Sequence, residues 1–202
     1  MQKDKKSKKS IARQQRIKDM ALELFLINGY ENTNISDIIK KSGGSFSDIY
    51  NDFKNKQNLF NNIVIDALKD NYKEIVKNLD YELDLRDFLY NFSYNFINCF
   101  KNKKNYLLVK IILSQLYDNK HLVEYFKQNI DKDPISILIK YFKKCQAPLC
   151  EYAEKYANIF FTMIRGKIFE NIIFNTEITD IEEKEQYISF MVDFFVNSIK
   201  NN

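Results

Sequence analysis

Only four glycines and two prolines punctuate 202 residues, and that scarcity constrains the fold more than any other feature of the sequence. A many-turned all-β chain needs turn residues every few positions, so a chain this poor in them runs in long helices. Hydrophobic residues make up 45% of the sequence, enough for one or two compact domains with a real core. No run of about 18 or more uncharged apolar residues occurs, so no transmembrane helix is expected. The basic N-terminus is not followed by an apolar segment, so it does not read as a signal peptide. Cys99, Cys145 and Cys150 include no CxxC pair. They are expected to be reduced thiols in a cytoplasmic protein, with no disulfide framework, no metal site and no cofactor.

The net charge of +4 is unevenly spread. Residues 1–20 hold eight Lys or Arg against two Asp, a local charge of +6, so the rest of the chain sums to −2. A basic head on a near-neutral body points to a polyanionic partner at one end. Residues 1–10 read as a disordered basic arm, which is compatible with that partner.

Apolar positions then recur at helical spacing. Ile17, Met20, Ala21, Leu24 and Phe25 form one stripe, stopped by Asn28-Gly29. A short helix with Ile35, Ile38 and Ile39 follows, with Asn34 at its N-cap. Ser42-Gly43-Gly44 breaks the chain. Ser45, with Asp48 three residues on, reads as a capping box that opens a helix carrying Phe46, Ile49, Tyr50 and Phe53. Asn55 caps a long fourth helix with Phe60, Ile63, Val64, Leu68, Tyr72 and Ile75 on one stripe. Beyond residue 81 the helices become longer and more aromatic, over about 84–100, 104–117, 121–130, 134–145, 149–174 and 181–200. The 104–117 segment is apolar nearly all round and is expected to be buried on most sides.

Two short helices joined by a glycine turn meet the demands of a helix-turn-helix. Such a unit lays its second helix, N-terminal end first, into the DNA major groove. The longer pattern Phe25-x-x-x-Gly29-Tyr30-x-x-Thr33-x-Ile35, Ile38, Ser42-Gly43, Ile49-Tyr50-x-x-Phe53-x-x-Lys56-x-x-Leu59 resembles the TetR/AcrR family of repressors. Leu22-Glu23-Leu24-Phe25-Leu26, Ser36-Asp37-Ile38-Ile39-Lys40 and Ser114-Gln115-x-Tyr117-Asp118 are further similar to a multidrug-efflux repressor of that family. The resemblance implies an all-α protein. A three-helix helix-turn-helix domain at 11–56 would precede a larger ligand-binding and dimerisation domain at 57–202, in a homodimer released from its operator by a ligand.

Carried over by position, the resemblance places Thr33, Tyr50 and Lys56 on phosphates, and Ser45, Phe46 and Ser47 at the groove-facing start of the recognition helix. Phe46 is suited to a thymine methyl and the serines to either base type. Capping alone is the plainer reading of Thr33 and Ser45, and core packing that of Phe53. Asp48 is a cap or, more boldly, a contact to cytosine N4. With Gly43 and Gly44 counted in, the recognition segment has poor helix propensity, so a short or frayed helix is expected. Asp48 and Asp52 place negative charge near phosphates, which the basic arm would offset.

For the ligand, the resemblance puts the cavity among the fourth helix, the 84–100 and 104–117 helices and the helix after 149. Val64, Leu68, Phe96, Phe100, Leu108, Ile112, Phe161 and Phe169 are its expected walls. Thr162 and Arg165, three apart, are its expected polar groups, with a surface ion pair as the plainer reading of Arg165. An amphipathic or aromatic effector, such as a bile salt or fatty acid, fits this composition. Phe160, Ile164, Tyr187, Phe190, Met191, Phe194, Phe195 and Ile199 spread widely over the last two helices and are expected to form a two-fold interface, with monomer core packing as the alternative.

An enzyme is not expected. His121 is the only histidine, and neither a phosphate-cradling glycine loop nor a nucleophile–base arrangement is visible. A small-molecule carrier with its lysine-rich head on anionic lipid would leave the turn and second helix without a purpose, and no membrane partner is expected. An activator, or a regulator of genes other than efflux, fits the same residues.

Overall fold

The computed structural model describes residues 7–125, 133–174, 176 and 181–200. Among these the chain is all-helical. Its helices are α1 (Lys8–Asn28), α2 (Ile35–Ser42), α3 (Phe46–Phe53), α4 (Lys56–Val76), α5 (Leu85–Asn98), α6 (Lys103–Gln115), α7 (Lys120–Tyr125), α8 (Asp133–Phe142), α9 (Ala153–Phe174) and α10 (Ile181–Lys200). Lys3, Lys5 and Lys6 of the expected arm lie outside the described residues, whereas Lys8–Ser10 are already the first turn of α1.

Local chemistry sets the helix ends. Ser7, Ser45, Asn55 and Asp84 each accept a backbone N–H three residues on, satisfying one otherwise unpaired donor of α1, α3, α4 and α5. Asn34 occupies the N-cap of α2 with extended backbone, but its side chain makes no cap bond. Gly43 ends α2 at φ +66°, the left-handed conformation that costs a residue without a Cβ least.

Two cores result. The first joins α1, α2, α3 and the first half of α4 around Ile17, Phe25, Ile38, Ile49, Leu59 and Phe60. Phe25, Tyr30 and Phe60 pack there with ring centroids 5.0–5.5 Å apart. The second joins the end of α4 to α5, α8, α9 and α10 around Phe88, Phe92, Phe142, Phe160 and Phe195.

Helix α6 runs between these cores and differs from the sequence expectation. Only Leu108 and Ile112 of its apolar residues are buried. Leu108 and Ile112 join the first core, while Val109 and Leu113 turn to the second. A cavity beside α6 leaves the latter side half-buried, so an all-round apolar sequence here marks a wall shared by two compartments.

Candidate functional site

The turn and α3 form an exposed reading head. Gly43 reverses the chain, Ser45 caps α3 in a full capping box with Asp48, and Ile49 and Phe53 anchor the helix to the core. The glycines therefore lie in the turn, outside α3. The helix is short, as expected, but it is complete over Phe46–Phe53, and the anticipated helix-propensity cost does not apply to it.

On the outer side of α3, Phe46 is 65% exposed and Tyr50 71% exposed, although both are large and apolar-bodied. Ser45 and Ser47 are exposed beside them. Asn51 and Lys54 border the same groove as Phe46, Ser47 and Tyr50, with Ile35 as its other wall. Sequence reasoning missed Asn51 and Lys54, though Asn51 follows Ser47 by one helical turn and was open to that inference.

Three expectations for the head need correction. Thr33 is fully buried, and its hydroxyl donates to the carbonyls of Gly29 at 2.8 Å and Leu24 at 3.2 Å, so it tethers the loop and is turned from any phosphate. The Lys56 ammonium donates to the carbonyls of Tyr30 at 3.0 Å and Thr33 at 3.1 Å and sits 4.3 Å from the Tyr30 ring centroid. Its charge is spent on closing the α1–α2 loop against α4. Asp48 and Asp52 lie two residues, about 200° around the helix, from Phe46 and Tyr50, and they face α1. The Asp48 carboxylate accepts from the Ser45 N–H at 2.9 Å and pairs with Arg13 at 3.0 Å, which favours the capping reading over the cytosine contact. Asp52 pairs with Arg13 at 3.0 Å and accepts from Gln14. Repulsion of phosphates by these acids is relieved within the fold.

The larger domain holds a cavity of about 310 Å³ between α4, α5, α6 and α9. Of the residues named from the sequence, Leu68, Phe96, Phe100, Ile112, Phe161, Arg165 and Phe169 line it, together with Asn71, Tyr72, Ile75, Cys99, Val109, Leu113, Leu116, Tyr125, Pro134 and Ile168. Val64 and Leu108 do not. Both are buried in the head-side core, one layer beyond the wall. Thr162 is exposed on the outer side of α9 and is not a cavity group. The Arg165 guanidinium lies 5.5 Å from the Phe161 ring and 5.7 Å from the Phe169 ring, so its charge is presented among aromatic faces. Burial pushes the Cys99 thiol up to about 11, which keeps it protonated and a poor nucleophile.

The expected interface residues divide in two. Phe160 and Ile164 are fully buried, and Met191, Phe195 and Ile199 are nearly so, because α9 and α10 pack these side chains into their own chain's core. Tyr187 is half-buried against the same core. Phe190 and Phe194 stay 71% and 60% exposed, and Ile159 and Ile173 of α9, at 54% and 68%, had not been singled out.

Comparison with known proteins agrees with this architecture. Residues 17–63 match the family described as bacterial regulatory proteins, tetR family. No curated protein matches the chain. Among solved structures, a protein from Mesorhizobium loti MAFF303099 assigned to the TetR-family transcriptional regulators is similar at TM-score 0.81 and 16% identity, over 95% of this chain and 98% of that one. The flavonoid-responsive regulator FrrA is similar at TM-score 0.70 and 21% identity, over 93% and 96%. A transcriptional regulator of Aquifex aeolicus VF5 is similar at TM-score 0.66 and 21% identity, over 90% and 98%.

A short helix-turn-helix on a larger helical body defines a DNA-binding transcription regulator. Residues 17–63 match the model of the tetR-family bacterial regulatory proteins, and the chain as a whole has the fold of solved structures of such regulators. No helix among the described residues is long and apolar enough to cross a membrane. Among the same residues, no group of three or more His, Cys, Asp or Glu is placed to hold a metal ion.

Proposed function

We propose that this regulator is a repressor that a small amphipathic or aromatic effector releases from its operator. One observation carries the reading: Leu68, Ile112 and Leu116 border the cavity and also pack on the core of the reading head. A molecule that fills the cavity pushes on side chains that position α1 and α4, so cavity occupancy and head geometry are energetically linked. The effector is largely apolar, because aromatic and aliphatic side chains dominate the walls, and Arg165 favours one with an anionic group. That a structurally similar regulator is flavonoid-responsive supports an aromatic effector. The controlled genes would then be those that remove or process the effector, efflux among them.

In this reading Phe46 and Ser47 meet base edges, Tyr50 reaches a phosphate, and Ser45 serves chiefly as the cap of α3. Residues 11–56, with the first half of α4, act as the head, and the remainder binds ligand and dimerises. Phe190, Phe194, Ile159 and Ile173 form the two-fold surface that sets the two heads at half-site spacing. Fluorescence anisotropy with labelled duplexes from the neighbouring genomic DNA tests the proposal. Salt-sensitive binding, reversed by an amphipathic or aromatic compound, is the expected result. Binding that no such compound reverses would reject the effector-released repressor.

A further inference from the structure

Arg13 stands one turn ahead of Ile17, the first buried residue of α1, where sequence reasoning counted it only as part of the basic head. Its guanidinium bridges two carboxylates one turn apart on α3, with NH1 at 3.0 Å from Asp48 and NH2 at 3.0 Å from Asp52. The Asp52 side chain is only 7% exposed, and Gln14 donates to its other oxygen. The Arg13 Nε is itself buried. Exposed single ion pairs contribute little, but a planar fork held at two points in a part-buried setting is geometrically restrictive.

We infer that Arg13 is a positioning residue for operator recognition, fixing the roll of α3 about its own axis. The helix has eight residues, and Ile49 and Phe53 are its buried anchors. Those anchors share one face, so they resist lifting of the helix better than rotation. The Asp48 and Asp52 ties to α1 restrain the flank and hold Phe46 and Tyr50 outward. Arg13 thus acts through the two aspartates, without touching the DNA. The inference rests on α3 being the groove-facing helix.

The two roles differ in their electrostatic signature. If Arg13 were a phosphate contact, Arg13→Ala would weaken operator and non-specific duplex equally. It would also lower the salt slope by about one unit and act independently of Asp52. As a roll lock, Arg13→Ala weakens operator binding at least tenfold and non-specific binding less than threefold. Asp52→Asn also weakens operator binding, although it removes negative charge from a protein that binds a polyanion. The double variant Arg13→Ala/Asp52→Asn is then no weaker than the worse single variant.

Anisotropy titrations of the full chain on both duplexes, at several salt concentrations, read all of these quantities, with circular dichroism melts confirming that each variant is folded at the assay temperature. Arg13→Gln, which keeps the stem packing, replaces Arg13→Ala if the latter melts too low. Additive losses, equal losses on both duplexes, or tighter binding by Asp52→Asn would each overturn the inference. Phe46→Ala serves as the control: if it too leaves the operator affinity intact, the reading of α3 is what has failed.

Discussion

Lys56 and Tyr30 form a closed unit in which the ammonium stands 4.3 Å from the ring centroid and donates at 3.0 Å to the carbonyl of the same tyrosine. The first residue of α4 is thereby bonded to the loop that follows α1. Burial of the Tyr30 ring raises its hydroxyl pKa, with Glu31 adding to the effect, so the phenol stays neutral beneath the cation.

Lys56→Met keeps the stem and removes those bonds. Hydrogen bonds to a charged donor contribute about 1.5–3 kcal/mol, and partial solvent access places the expected loss near the lower end. A melting temperature roughly 4–6 °C lower is expected, with the salt slope of DNA binding unchanged. A slope smaller by about one unit, with stability intact, would return Lys56 to the phosphate contacts.

Phe46 and Tyr50 differ in what they offer. In the proposed reading Phe46 meets base edges, so Phe46→Ala should lower operator binding about fivefold to tenfold, or about 1 kcal/mol, while non-specific binding changes little. Replacing thymidine by deoxyuridine in the operator removes the methyl group and should erase most of that penalty. Tyr50→Phe removes a hydroxyl suited to phosphate and should weaken both kinds of duplex alike. A Phe46→Ala penalty that survives deoxyuridine would place the ring elsewhere.

The sequence made the head legible because its constraints are local. Gly43, the Ser45–Asp48 box and the Asn55 cap can be read from neighbouring residues alone, and all three are where their chemistry requires. The misread positions are those whose role depends on a distant partner. Thr33 faces Leu24 across a turn, Lys56 reaches back 26 residues to Tyr30, and Arg13 meets Asp52 39 residues on. In the larger domain, periodicity showed that α9 and α10 are apolar. It did not separate Phe160, packed against Phe195 at 4.8 Å, from exposed Phe190, because a wide apolar face has no unique inner edge. Similarly, Val64 lies one turn from the cavity residue Leu68 but is fully buried in the head-side core, and periodicity alone does not tell the two apart.

The two glycines of the turn should respond oppositely to alanine. At Gly43 the backbone is left-handed, so Gly43→Ala costs about 1 kcal/mol even though the nearest atom to a new Cβ, on Arg16, is 3.9 Å away. A Cβ on Gly44 meets Ser42 Oγ at 3.4 Å in ordinary contact, and its backbone needs no glycine. Gly44→Ala should leave stability within about 0.5 kcal/mol or raise it. Urea denaturation of both variants decides this, and equal losses would contradict the turn geometry.

Arg165 supplies positive charge at the cavity wall beside Phe161 and Phe169. Arg165→Met should weaken an anionic amphiphile tenfold or more while a neutral compound of the same skeleton loses less than threefold. Calorimetry on a matched carboxylate and carboxamide pair measures both. Equal losses would make Arg165 a structural element of the wall.

Lys184 carries the clearest dependence on pH. It is buried on α10, donates to Asn98 Oδ1 at 2.8 Å and lies 4.0 Å from the Tyr94 ring centroid. Burial, and then the neighbouring Lys101, lower its amine from 10.5 to about 8, against a smaller opposing pull from Glu185. Below pH 8 both folded and unfolded chains hold this proton, and the fold bears the whole penalty of burying it. Between about 8 and 10.5 the folded chain releases the proton first, so this group's contribution to stability rises with pH. Cys99, raised to about 11, works in the opposite direction as the unfolded thiol ionises first, so the net curve of the protein mixes both signs. Comparison with Lys184→Met isolates the lysine. The variant should be the more stable protein at pH 7, and its lead should shrink steadily from pH 8 to pH 10. A lead that stays constant across that range would mean that Lys184 keeps its proton in the fold.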